Sequence, residues 1–166
     1  MIKIGHKYIG SNQPCFIAAE IGINHNGDMN LAVKTMDAAI EAGADAIKFQ
    51  NYYTEDFVHN KNLTYSYKSQ GKNITETQYE MFKRYELSFE NLKMLKEYCD
   101  KRGVIFFSTP TGKRGIDDLV RINCPLLKNG SDLLVNTDII MEMAKTSIPT
   151  IISTGMATVA EIDDAV

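Results

Sequence analysis

The chain has 166 residues, enough for one domain with a real core, and a composition of 44% hydrophobic and 23% charged residues that suits a globular protein. A formal net charge of -3 gives no reason to expect nucleic acid or an anionic membrane as partner, while leaving room for a local basic pocket around a small anion. The N-terminal MIKIGHKYIG lacks the apolar core of a signal peptide and no run is long enough to span a membrane, so a cytoplasmic protein is expected.

Residues 1–14, with Gly5, Gly10 and Pro14 among alternating apolar residues, predict a short hairpin or arm. Phe16 to Ile21 is apolar and short, as a strand buried on both faces should be, and Glu20 is its anomaly. Asn24 to Gly27 predict a turn, and Asp28 the cap of a helix showing Leu31, Ala32, Thr35, Ala38, Ala39 and Ala42 on one side and stopping at Gly43. Ala46 to Phe49 reads as the second strand and completes a right-handed βαβ unit. From Asn51 to Thr77 no period is sustained, and a long loop is expected, of the kind that often binds or covers ligands.

A short helix is predicted over 79–84 and a longer one from Ser88 to Gly103. Val104 to Phe107 reads as the third strand, followed by Ser108, Thr109 and Pro110. A helix over 115–123 precedes a fourth strand at Leu126 and Leu127, which runs into Lys128, Asn129, Gly130, Ser131 and Asp132. Thr137 or Asp138 is the expected cap of the next helix, Pro149 to Ile152 the fifth strand, and Thr158 the cap of a last helix. Cys15, Cys99 and Cys124, odd in number and widely spaced, predict buried reduced thiols rather than a disulfide frame or a zinc site.

Five βα units in a row predict an α/β fold with a parallel sheet. The strand ends offer Glu20, then Lys48 and Gln50, then Ser108 and Thr109, then Lys128 and Ser131, then Ser153 and Thr154. In a barrel these ends converge on one mouth. Two lysines, several hydroxyls and loop amides there suit a phosphate and a carboxylate.

The segments AEIGINHNGD, IKFQ, FFSTP, LLKNGSD and IISTGMA, in this order and spacing, resemble the sialic acid synthase family, which includes N-acetylneuraminate, legionaminic and pseudaminic acid synthases and spore-coat polysaccharide proteins. The resemblance covers nearly the whole chain. It implies a (β/α)8 TIM-barrel type enzyme that condenses phosphoenolpyruvate with an N-acyl amino sugar, such as N-acetylmannosamine, with a divalent metal, Mn or Mg. By motif position Lys48, Thr109, Lys128, Ser131 and Ser153 would hold phosphoenolpyruvate, and Glu20 and Gln50 would face the sugar or the reacting centre.

Three departures qualify this. The family's fourth-strand motif has an acidic residue two positions after the serine; here Ser131 is followed by Asp132 and Leu133, so Asp132 substitutes or the carboxylate is missing, and Asn129 stands where an apolar residue is usual. The loop TGKRG after Pro110 lacks an aromatic and acidic pair. A (β/α)8 barrel takes typically about 250 residues. The chain is therefore expected to be the N-terminal part of a synthase, five βα units of an incomplete barrel, with the metal-binding histidines of later strands and an antifreeze-like domain outside it. The open sheet edges, or a homo-oligomer, would supply partner contacts. Two other functions stay open: a Schiff-base aldolase using Lys48 or Lys128, and a degenerate barrel that binds a ligand or partner chain without catalysis.

Overall fold

The computed structural model describes residues 1–69 and 71–166. The chain begins with the expected hairpin, β1 (Ile2–Ile4) antiparallel to β2 (Lys7–Ile9). Then follow β3 (Ala18–Gly22), α1 (Met29–Glu41), β4 (Ala46–Asn51), α2 (Thr54–Phe57), β5 (Thr64–Ser69), β6 (Lys72–Thr77), α3 (Gln78–Tyr85), α4 (Phe89–Arg102), β7 (Ile105–Pro110), α5 (Lys113–Arg121), β8 (Leu127–Lys128), a 3-10 turn at Ser131–Leu133, α6 (Thr137–Lys145), β9 (Thr150–Ile151) and α7 (Val159–Ala165). The strands of the five predicted βα units form one parallel sheet in the order β3-β4-β7-β8-β9.

Local chemistry sets the helix ends. Asp28 caps α1 by accepting from the N–H groups of Asn30 and Leu31, and Ser88 caps α4 by accepting from Asn91. Thr77 with Glu80, and Thr158 with Glu161, form reciprocal capping boxes at the starts of α3 and α7. The cap of α6 is Asn136, whose side chain accepts from the Ile139 N–H, and not Thr137 or Asp138, which are already helical. The buried face of α1 also differs from the expected one. Ala32 and Met36 lie against the sheet with Ala39 and Ile40, while Ala38 and Ala42 are exposed. An alanine stripe carries little directional signal, and the larger Met36 decides which side packs.

The core lies between one face of the sheet and its helices. Ile47, Phe49 and Phe106 meet Ala32 and Met36 of α1 and Leu92, Leu95 and Cys99 of α4, with the Phe49 and Phe106 rings stacked at 5.8 Å. The third strand is longer than expected and includes Ser108, Thr109 and Pro110, all buried. In contrast β3 is not buried on both faces. Ala18 and Glu20 are exposed because β3 is an edge strand of the sheet among the described residues. Cys99 and Cys124 are buried thiols, whereas Cys15, in the segment before β3, is exposed.

The described part of 51–77 is not a loop. It contains α2 and an antiparallel hairpin, β5–β6. Tyr65 and Tyr67 stack on one side of β5 at 5.3 Å, and the Tyr67 hydroxyl donates to Glu76, which also receives both guanidinium nitrogens of Arg84 at 2.8 and 2.9 Å. The period of two is there in TYSYKS, but polar and aromatic residues alternate rather than polar and aliphatic ones. The N-terminal hairpin covers the other end of the sheet. Ile4 is buried, an added Cβ at Gly5 would lie 3.5 Å from the Ile105 side chain, and Lys7 pairs with Asp45 at 2.7 Å.

Candidate functional site

Parallel strands in register place equivalent residues side by side on one face. Glu20 pairs with Lys48 across β3 and β4, Gln50 with Thr109 across β4 and β7, and Lys128 with Ile151 across β8 and β9. Ser108 is level with Leu127, which sets Lys128 level with Thr109. Glu20, Lys48, Gln50, Thr109 and Lys128 therefore share the face opposite the helices, near the C-terminal ends of the strands.

Lys48 is buried, with 5% of its side chain exposed, and its ammonium bonds both carboxylate oxygens of Glu20, at 3.0 and 2.8 Å. Glu20 is 54% exposed, so the pair has one buried and one open member. A register shift between Glu20 and Gly22 marks a bulge at Ile21, and Gly22 has φ +56°. A Cβ on Gly22 would lie 3.2 Å from Glu20 Oε1 and 3.8 Å from Gln50 Cδ, so the missing side chain leaves the space into which Glu20 and Gln50 converge.

Lys128 is half-buried and donates to Ser153 Oγ and, at 3.1 Å, to the Asn129 carbonyl. Its pKa lies below the ordinary lysine value. Burial is the main cause, the Lys48 charge adds to it, and the Glu20 and Asp132 charges act the other way. Thr109 Oγ1 is buried with no protein partner among the described residues, an arrangement that leaves a hydroxyl for a ligand. Ser131 starts the 3-10 turn beside Gly155, whose Cβ, if present, would lie 3.3 Å from the Ser131 Cβ. Asp132 is exposed and folds back over Gly130, and with Gln50, Thr109, Thr111 and Leu133 it lines a cavity of about 260 Å³. All eight candidate residues lie at the same edge of the sheet, in one arc from Glu20 to Ser153.

The cavity has an aromatic wall that sequence reasoning missed. Tyr52, Phe57 and Phe82 meet edge-on with centroids 4.9–5.6 Å apart. The signal of Tyr52 and Phe57 was available in the aromatic run after Gln50, masked by the expectation of a loop, while Phe82 lay in the helix predicted over 79–84. Asn129, marked in the sequence only as a polar residue where an apolar one is usual, is fully buried and bonds Ser153. Lys113 and Arg114 do not add charge to the mouth. Lys113 pairs with Asp117 and Glu142, and Arg114 pairs with Asp56 and lies 3.6 Å from the centre of the Tyr53 ring.

His25 belongs to the turn after β3 and is fully buried. Its Nδ1 accepts from the Gly27 N–H at 3.1 Å, which puts the proton on Nε2, and burial lowers its pKa, so the ring is neutral. Among the described residues no three His, Cys, Asp or Glu side chains gather as a metal ion requires, so these residues do not fit a metal centre. No helix among them is long and apolar enough to cross a membrane. What the arc can do is hold an anion between two lysines and three hydroxyls and present it to a carboxylate, Glu20, and an amide, Gln50.

A model of the NeuB family matches residues 35–166. An uncharacterised protein of Methanocaldococcus jannaschii is 42% identical over 165 residues, 99% of this chain and 45% of that protein. The N,N'-diacetyllegionaminic acid synthase of Legionella pneumophila is 38% identical over 162 residues, 98% of this chain and 46% of the enzyme. Among solved structures, the N-acetylneuraminic acid (sialic acid) synthetase of Leptospira borgpetersenii, in complex with citrate, superposes with a TM-score of 0.85 at 34% identity, over 99% of this chain and 53% of that one. Neighbours by fold, this synthetase and more distant synthases among them, are of TIM-barrel type. The chain spans less than half the length of these two curated relatives.

Proposed function

The chain belongs to the NeuB family, and from that premise we propose that it carries the phosphoenolpyruvate half of a synthase that makes a nonulosonic acid from an N-acyl amino sugar. Its five βα units would be the first five of a (β/α)8 barrel, a placement supported by the strand order and by the span relative to its relatives. The observation that carries the reading is the placement of Lys48, Lys128 and the Thr109 hydroxyl, buried and unpartnered among the described residues, on one face of the sheet. Among the described residues Lys128 is held only by the neutral oxygens of Ser153 and Asn129, so an anion there would meet a cation that has no carboxylate bonded to it.

In this reading Lys48, Lys128, Thr109, Ser131 and Ser153 hold the phosphate and carboxylate. Carbon three of the enol attacks the aldehyde carbon of the open-chain sugar. Water adds to the cationic centre left at carbon two, and phosphate leaves by C–O cleavage. Glu20 and Gln50, converging over Gly22, face the sugar, and Glu20 exchanges its bond to Lys48 for one to substrate as the anion takes over that ammonium. Asp132, at the cavity mouth, would stand in for the acidic residue displaced by Leu133. The protein's contribution is positioning and charge stabilisation.

Calorimetric titration of the chain with phosphoenolpyruvate tests this. Saturable binding is expected, weakened about 10–100-fold in Lys48→Ala and in Lys128→Ala, the worth of a charge-assisted bond. No binding by a folded chain, or binding indifferent to both substitutions, overturns it. The lowered pKa of Lys128 favours one other reading, a Schiff base with a keto acid. Borohydride with pyruvate would then leave a covalent adduct on Lys128. The synthase reading expects none.

A further inference from the structure

Asn129 is fully buried and has no part in the chemistry above. It sits where the sheet runs out. β8 and β9 are two residues each, paired as Leu127 with Thr150 and Lys128 with Ile151, and the last main-chain bond between them runs from the Asn129 N–H to the Ile151 carbonyl at 3.2 Å. Beyond it both chains enter loops, and the Asn129 side chain takes over. Its Oδ1 accepts from the Ser153 N–H at 2.5 Å, while its Nδ2 donates to the Gly130 carbonyl at 2.9 Å and to the Ser153 carbonyl at 3.5 Å. Both main-chain polar groups of Ser153 are thus held by one amide. The Ser153 hydroxyl in turn bonds Lys128 Nζ, which also reaches the Asn129 carbonyl.

We propose that Asn129 is a positioning residue of the anion site: its carboxamide acts as a side-chain rung between β8 and β9 that sets Ser153 Oγ against Lys128 Nζ. The inference rests on the anion-site reading above and names a part of it that the lysines and hydroxyls alone do not explain. A carboxamide offers an acceptor and two donors in one plane, which is what the N–H and C=O groups of the strand end require. Aspartate has the acceptor without the donors, and leucine has the approximate volume with neither. A buried amide also carries a desolvation cost that an apolar side chain at this position would not, so its presence points to the bonds it makes.

The test uses the chain itself with Asn129→Leu, Asn129→Asp, Ser153→Ala and the Asn129→Leu/Ser153→Ala double variant. In calorimetric titration with phosphoenolpyruvate, Asn129→Leu is expected to bind about tenfold more weakly, the effect of one lost hydrogen bond at a charged group. Because the amide acts through Ser153, most of that loss should vanish in the Ser153→Ala background. Two readouts need no ligand. The Ser153 amide proton should be protected from exchange in the wild-type chain and in Asn129→Asp, and unprotected in Asn129→Leu. The Lys128 ammonium, followed by nitrogen-15 NMR, should titrate still further below the ordinary lysine value in Asn129→Leu, because an oxygen that accepts from its charged form is no longer held in place. Wild-type affinity in Asn129→Leu, fully additive losses, or an unchanged Ser153 amide and Lys128 titration would each overturn the proposal. If the wild-type chain binds no phosphoenolpyruvate, the functional reading fails, and the two NMR readouts still decide the role of Asn129.

Discussion

Lys128 holds its ammonium against Ser153 while three charges bear on it: Lys48 opposes protonation, and Glu20 and Asp132 favour it. A pKa lowered on folding means that the folded chain releases this proton before the unfolded one does. Stability then rises with pH across the window between the two values, since the unfolded state binds more protons there. Anion binding runs the other way, because it needs the ammonium. Affinity for phosphoenolpyruvate is therefore expected to fall as pH rises through the lowered value, well before an ordinary lysine would titrate, and binding above that point should take up a proton. Lys128→Arg, which does not titrate in this range, should hold its affinity across it. Calorimetry in buffers of different ionisation heat, from about pH 7 to about pH 10, checks both, and parallel pH profiles for the two proteins would refute the assignment. At this scale the sequence was informative about what stands alone at a strand end. Glu20, Lys48 and Lys128 announce themselves as charges in apolar runs. Asn129 does not, because its bonds go to the main chain of a residue 24 positions away, and no spacing rule marks such a partner.

Turns and caps decide where the elements stop, and here one glycine does more than the others. Gly27 and Gly43 both have left-handed backbone, φ +77° and +86°. An alanine at Gly43 would meet no described atom within 4 Å, and its cost should be the left-handed term alone, about 1–2 kcal/mol. At Gly27 the new Cβ would lie 2.7 Å from the Arg84 carbonyl oxygen, in the turn that also positions His25, so Gly27→Ala should lose clearly more. Urea unfolding of the two variants measures the difference, and equal losses would show that the α3 end gives way freely. Caps with a short polar residue before an apolar run were readable, as Asp28, Ser88 and Thr158 show. The α6 cap was misplaced by one or two residues because Asn136, Thr137 and Asp138 are all capping types in a row. The β5–β6 hairpin was missed for a different reason. It is held by tyrosine stacking and by Glu76 bonds to Tyr67 and Arg84, so its pattern is not the hydrophobic alternation that marks a half-buried strand.

At the scale of the whole molecule, the order of five βα units could be read from apolar runs punctuated by Gly43, Gly103 and the caps, because burial against helices imposes those runs. The seating of the first hairpin could not. Its contacts, Gly5 with Ile105 and Lys7 with Asp45, join positions far apart in a segment with few apolar residues. The sequence did place the open edges at the first and fifth strands of the sheet, as the order shows, but it took the first, β3, to be buried on both faces. Ile17 beside it is 56% exposed, and Ile151 on β9, at the other edge, is 36% exposed. Two strands with unpaired main-chain groups and apolar neighbours invite a second chain, and self-association is expected in light scattering at high concentration, weakened by Ile17→Lys and Ile151→Lys. A monodisperse monomer throughout would count against it. The consequence reaches beyond assembly. If copies cover each other's edges only when folded, mass action couples the folding equilibrium to the amount of protein present. The melting temperature then ceases to be a property of the sequence alone and climbs with concentration, so that two laboratories working at different dilutions would assign the same molecule different stabilities and both be right.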